Sequence, residues 1–137
     1  MKLVVLLGLL FTTLISLSEE KETVVIQNAI PGGRSWIHCF SSDDDLGYHM
    51  LGSNQTFSFR FNFNFFGTTK FYCLFKTFYG FGTYGVFTDR IYHKCGSYCL
   101  WSVTPKGPCL HCTEGELYCQ PWKDTGESLL EALQLTD

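Results

Sequence analysis

The chain is poor in positive charge, lacks any long apolar run after its first residues, and carries none of the common catalytic signatures. Ten Lys and Arg stand against thirteen Asp and Glu in 137 residues, and the basic side chains are scattered singly. A nucleic-acid backbone binder draws most of its affinity from clustered Lys and Arg, so nucleic acid is excluded as a partner. Beyond residue 15 no segment is apolar over the roughly 20 residues that a spanning helix needs, which excludes membrane insertion of the mature chain. The four histidines, His38, His49, His93 and His111, are accompanied by neither a G-x-S-x-G elbow nor an H-E-x-x-H pair. The sequence therefore predicts no enzyme, no metal centre and no cofactor.

What is present begins with Lys2 and an apolar stretch from Leu3 to Ile15, followed by Ser16-Leu17-Ser18 and then Glu19-Glu20. A single positive charge, a short apolar core and small residues before a polar boundary make a secretory signal peptide, assigned to residues 1–18. Removing Lys2 leaves nine basic residues against thirteen acidic ones, about four net negative charges. The remainder has the length of one domain and is expected to be secreted and extracellular. Seven cysteines on that route imply an oxidised framework with one cysteine left over. Asn54-Gln55-Thr56 is an acceptor for N-glycosylation in what reads as a turn.

The period of the apolar residues is two. Phe57, Phe59, Phe61 and Phe63 alternate with Ser58, Arg60, Asn62 and Asn64, and Phe71, Cys73 and Phe75 alternate with Tyr72 and Leu74. Such alternation predicts half-buried strands over 56–64 and 69–76. Weaker candidates cover 23–28, 35–40, 84–88, 91–94 and 98–104, each bounded by Gly, Pro, Asn or Asp. Short strands at this spacing predict an all-β fold, a small disulfide-stapled antiparallel β-sandwich with a core rich in phenylalanine. Residues 19–107 are assigned to it, and 108–137 to a cysteine-containing C-terminal extension. In the latter, Ser128 and Glu131 form a capping box before Leu129, Leu130, Leu133 and Leu135, which suggests a short helix.

Several constellations have a functional and a structural reading. Gly80-Phe81-Gly82-Thr83-Tyr84-Gly85 matches G-x-G-x-x-G, but Val86-Phe87-Thr88 continues as strand where a dinucleotide site needs a helix, so the segment is expected to be a flexible hairpin loop. Cys109, Cys112 and Cys119, with His111 between the first two, could serve redox or zinc chemistry. Neither the βαβ setting nor a second ligand pair is present, and a local disulfide with one free or intermolecular thiol is expected instead. Asp43, Asp44 and Asp45 offer oxygens of the kind calcium takes, but consecutive residues on an extended chain point to different sides. The plainer readings are a solvated connection or a contact with a partner. His38 lies on the Trp36, His38, Phe40 face of a strand and is expected to be hydrogen-bonded and structural.

The order of the motifs is more specific than any one of them. His38-Cys39 followed by Ser41, Asp43-Asp44-Asp45-Leu46-Gly47 and His49, then Phe57, Phe59 and Phe61, then Asn64-Phe65-Phe66-Gly67-Thr68-Thr69, Phe71 and Cys73, and finally Cys95, Cys99, Trp101 and Val103 resembles the plant self-incompatibility protein family, the S-protein homologues. The resemblance covers roughly residues 24–107. It implies a disulfide framework of Cys39, Cys73, Cys95 and Cys99; of the three pairings these allow, the one joining Cys95 to Cys99 closes only a tiny loop and constrains the unfolded chain least, so Cys39 and Cys73 are each expected to reach one of Cys95 and Cys99, in either order. It also implies an extracellular ligand, as for pistil determinants read by a pollen receptor, with an unidentified cell-surface receptor as partner. Recognition would lie on exposed loops: Asp43, Asp44, Asp45, Leu46, Gly47 and His49, and the 80–85 segment. Secreted ribonucleases serve self-incompatibility in other plants, but their H-G-L-W-P-type motif is absent here. A secreted defence or inhibitor protein would share every feature named so far.

Overall fold

A computed structural model describes residues 21–62 and 69–125. The signal peptide, the Phe63 to Thr68 part of the aromatic motif and the C-terminal capping box lie outside the described residues. Among the described residues ten strands form two five-stranded sheets and one helix is present. The strands are β1 (Glu22–Asn28), β2 (Ser35–Phe40), β3 (Asp45–Leu51), β4 (Thr56–Phe61), β5 (Phe71–Lys76), β6 (Gly80–Phe87), β7 (Tyr98–Thr104), β8 (Gly107–His111), β9 (Leu117–Cys119) and β10 (Asp124–Thr125), and the helix, α1 (Asp89–Cys95), lies between β6 and β7. The first sheet runs β4-β1-β7-β8-β9 and the second β10-β6-β5-β2-β3.

The alternation in the sequence becomes the two faces of these sheets. Val24 and Ile26 of β1, Trp101 and Val103 of β7 and Leu110 of β8 are buried together with Ile37 of β2, Phe75 of β5 and Val86 of β6. Trp101 lies between the layers, and its indole Nε1 donates to the Val86 carbonyl at 3.0 Å, so the largest core side chain is also polar-satisfied. The core is less phenylalanine-rich than expected. β4 is an edge strand, so Phe57, Phe59 and Phe61 only flank the core, which is mostly Val, Ile, Leu, Cys and Trp with Phe71, Phe75 and Phe87. All pairings are antiparallel except β1 with β7, which is parallel; the sandwich is mixed rather than purely antiparallel.

Asn28 is wholly buried and fixes the start of the second sheet. Its Nδ2 donates to the carbonyls of Gly33 and Leu51, and its Oδ1 accepts from the Ile30 amide and the Ser35 hydroxyl. All the hydrogen-bonding capacity of the side chain is thereby used.

Four expectations are corrected. Cys39 pairs with Cys73 and Cys95 with Cys99. The reason is topological: β2 and β5 are neighbours whose register sets Cys39 opposite Cys73, while Cys95 ends α1 and Cys99 is the second residue of β7. Residues 91–94 belong to α1, not to a strand. Thr88 caps the helix by accepting from the Ile91 amide, and Gly96, at φ 68°, closes it, so the burial of Ile91 and Cys95 follows a helical i, i+4 spacing. The 80–85 segment is strand β6 rather than a flexible loop. Its glycines allow close packing: a Cβ at Gly80 would lie 2.4 Å from the Trp122 ring. The sandwich also does not stop at Gly107. β8 and β9 extend the first sheet, β10 extends the second, and Cys109 is bridged to Cys119, leaving Cys112 as a free, half-buried thiol.

Candidate recognition surface

The second sheet turns one face to the core and the other to solvent. On the outer face the register sets Trp36 beside Met50 and Lys76, His38 beside Tyr48 and Leu74, and Phe40 beside Tyr72. The fractional exposures of Trp36, Tyr48, Met50 and Tyr72 are 41%, 76%, 51% and 36%. The rings are ordered among themselves, with His38 4.2 Å from Tyr48 and 5.5 Å from Phe40, centroid to centroid. The Cys39–Cys73 bridge lies directly behind them on the buried side. A contiguous exposed aromatic surface on a covalently stiffened sheet is the kind of patch that marks an interaction site.

The acidic motif lies at one end of this face. Ser41 organises the turn: its amide donates to the Asp44 carbonyl at 2.8 Å, and its Oγ accepts from the Asp43 and Asp44 amides. This leaves the Asp43 and Asp44 side chains exposed. Asp45 is different. Between the His38–Tyr48 and Phe40–Asp45 pairs, β3 carries one residue more than β2, a β-bulge centred on Leu46 and Gly47, the latter at φ 78°, where glycine carries no strain. The bulge brings the Asp45 carboxylate onto the Gly47 amide, 2.9 Å, and onto the His38 ring, whose Nε2 donates at 2.6 Å. The backbone bond from Gly47 and then the bond from His38 hold the Asp45 carboxyl below its ordinary value of 3.8.

The sequence expectation treated Asp43 to His49 as one loop. Only the segment through Asp44 is a turn; Asp45, Leu46, Gly47 and His49 belong to β3. Leu46 packs toward the core, and His49 Nε2 donates to the Leu46 carbonyl at 2.9 Å while its ring stacks on Phe57 at 4.0 Å. Leu46, Gly47 and His49 thus shape the edge, and Asp43 and Asp44 are the carboxylates left to solvent. The strand was missed because the Asp and Gly residues at its start mask the alternation of exposed Tyr48 and Met50 with inward His49 and Leu51.

A histidine beside a carboxylate is the arrangement that a secreted hydrolase would require, and His38 with Asp45 meets that one condition. Among the described residues no further catalytic group is bonded to this pair. Asp45 is shared with the Gly47 amide, the His38 ring lies among aromatic rings, and among the described residues no hydroxyl or thiol bonds to His38. The other Ser–His contact, Ser102 Oγ to His111 Nε2 at 2.8 Å, lies on β7 and β8 in the first sheet. Among the described residues no three His, Cys, Asp or Glu side chains are grouped to hold a metal ion, and no helix is long and apolar enough to cross a membrane.

Residues 23–122 match the family model described as plant self-incompatibility protein S1. The chain belongs to this family. The match runs through β8 and β9, in agreement with the sheets and beyond the Gly107 boundary expected from sequence. Among curated relatives, S-protein homolog 19 of Arabidopsis thaliana is 32% identical over 100 residues, which is 73% of this chain and 74% of that protein. S-protein homolog 2 of the same plant is 33% identical over 111 residues, 75% of this chain and 69% of that protein. Self-incompatibility protein S1 of Papaver rhoeas is 39% identical over 89 residues, 61% of this chain and 63% of that protein. No solved structure matches the chain. Membership makes a role related to self-incompatibility the coarse functional assignment.

Proposed function

We propose that this protein is a secreted extracellular ligand, read by a cell-surface receptor protein through the acidic turn and the aromatic outer face of the second sheet. The observation that carries the proposal is the contrast within the Asp43–Asp45 run. Asp45 is tied into the fold by His38 and Gly47, whereas Asp43 and Asp44 extend from a turn ordered by Ser41. Loops held on a rigid scaffold commonly carry recognition, and here the scaffold is β2–β5 with its Cys39–Cys73 bridge. Asn54, at φ 66° in the turn between β3 and β4, is exposed and is the proposed glycan acceptor. No catalytic role is part of the proposal.

The test is binding of labelled, oxidised mature protein to intact plant cells, pollen tubes included, with excess unlabelled protein as competitor. Asp43→Asn with Asp44→Asn should weaken saturable binding while leaving the thermal midpoint unchanged, since neither side chain supports the fold. Binding that is saturable but indifferent to both substitutions would remove the acidic turn from the interface. An absence of competable binding would favour a defence or inhibitor role.

A further inference from the structure

The ends of a β-sheet expose unpaired backbone N–H and C=O groups, which proteins usually blunt by shortness, Lys, Pro or a bulge. Of the four edge strands, β9 and β10 are blunted by length, at three and two residues, and β4, six residues long, carries the exposed charge of Arg60. β3 is seven residues long and, among the described strands, is paired with β2 alone. Its first half is blunted by the bulge, with the Gly47 amide taken by Asp45 and the Leu46 carbonyl by His49. From Tyr48 to Met50 there is no Lys, Arg or Pro, and the Leu51 carbonyl beyond them is taken by Asn28, which leaves about 10 Å of edge at the usual rise per residue. Tyr48 and Met50, on the outer face of that edge, are among the most exposed apolar side chains described.

We propose that the receptor segment is an extended peptide that adds to β3 as a further strand, with basic side chains at its end over Asp43 and Asp44. This rests on the ligand reading above and specifies the partner's chemistry. Main-chain bonding to the open half of β3 would give affinity, and alternate side chains against Tyr48 and Met50 would give selectivity. The charge complement follows from the turn: among the described residues the one ion pair is His38 with Asp45, so Asp43 and Asp44 have no Lys or Arg partner. An incoming cation would meet two carboxylates in the direction in which the edge runs.

The probe is a peptide selected from a random display library against the oxidised full chain, mapped by amide shifts and hydrogen exchange. Selected peptides should be basic at one end and alternate apolar residues at the other, should slow exchange in β3, and should lose affinity when N-methylated at alternate positions. Tyr48→Lys and Met50→Lys, which guard the edge, should each weaken the peptide and cell-surface binding about tenfold or more, with Leu117→Lys on β9 as a control for added charge. Peptides that perturb another surface, tolerate N-methylation or fail to be enriched would overturn strand addition, as would a dimer in sedimentation that buries β3. If cell-surface binding is saturable but survives both lysine variants, the ligand reading stands and strand addition fails. If the unaltered protein shows no saturable binding, the ligand reading itself fails.

Discussion

At the scale of single residues, polar side chains fix the geometry that the apolar alternation leaves open. Asn28 joins the end of β1 to the Gly33 and Leu51 carbonyls, the Ile30 amide and Ser35. Replacing it by Ala leaves several buried groups unpaired, each costing about 1–3 kcal/mol, so Asn28→Ala should lower unfolding free energy by at least about 3 kcal/mol in a urea titration. The Asp45 carboxyl has a lowered value in the folded state, so its stabilising contribution is present above the ordinary carboxylate range and is lost as pH falls through the lowered value. Stability should therefore decline below about pH 4, and Asp45→Asn should flatten that acid limb; the side chain is exposed, which keeps the effect small. Identical acid limbs in the two proteins would contradict the His38–Asp45–Gly47 arrangement.

At the scale of elements, the C-terminal strands are part of the sandwich. A Cβ at Gly107, φ 137°, would fall 1.9 Å from the Gln120 carbonyl oxygen, and the Gln120 amide donates to the Pro108 carbonyl. The chain then anchors Trp122 Nε1 on the Pro105 carbonyl and meets the Tyr84 hydroxyl at Pro121 and Lys123. Burial, before the other influences on it, raises the Tyr84 hydroxyl above its ordinary value. Ending the chain at Gly107 removes buried Leu110 and the Cys109–Cys119 bridge together, so such a truncation is expected to be retained in the cell rather than secreted. Efficient secretion of a protease-resistant truncated form would show these strands to be dispensable. A local bridge among Cys109, Cys112 and Cys119 was legible in the sequence, but the strands it joins were not, because Pro105, Gly107 and Pro108 read as a stop. The turn of β7 into β8 depends on a tertiary contact with Gln120, and α1 was hidden by caps at Thr88 and Gly96 that bracket only seven residues.

At the scale of the molecule, the strands with clean alternation, β1, β2, β4, β5 and β7, were legible, as was the all-β class. The pairing of Cys39, Cys73, Cys95 and Cys99 was not. Spacing does not say which strands become neighbours, and only the β2–β5 register brings Cys39 to Cys73. In the chain-entropy model the loop sizes rank the bridges: about 4 kcal/mol for Cys39–Cys73, about 3 for Cys109–Cys119 and about 2 for Cys95–Cys99, given sequence separations of 34, 10 and 4. Denaturant midpoints of the paired Cys→Ser variants should fall in that order. For the candidate site, the acidic run was visible at once, but its division into a tethered Asp45 and free Asp43 and Asp44 depends on a bulge that only the β2–β3 register reveals.

The claim that the outer face of the second sheet is the recognition surface is tested most directly by site-specific photo-crosslinking on intact cells. A photoreactive side chain is placed at Tyr48 on β3 or, for comparison, at Leu117, also exposed, on β9 of the first sheet. The account predicts one surface adduct from position 48, abolished by excess unlabelled protein and weakened by Asp43→Asn with Asp44→Asn, and none from position 117. Competable adducts from position 117 alone would contradict it.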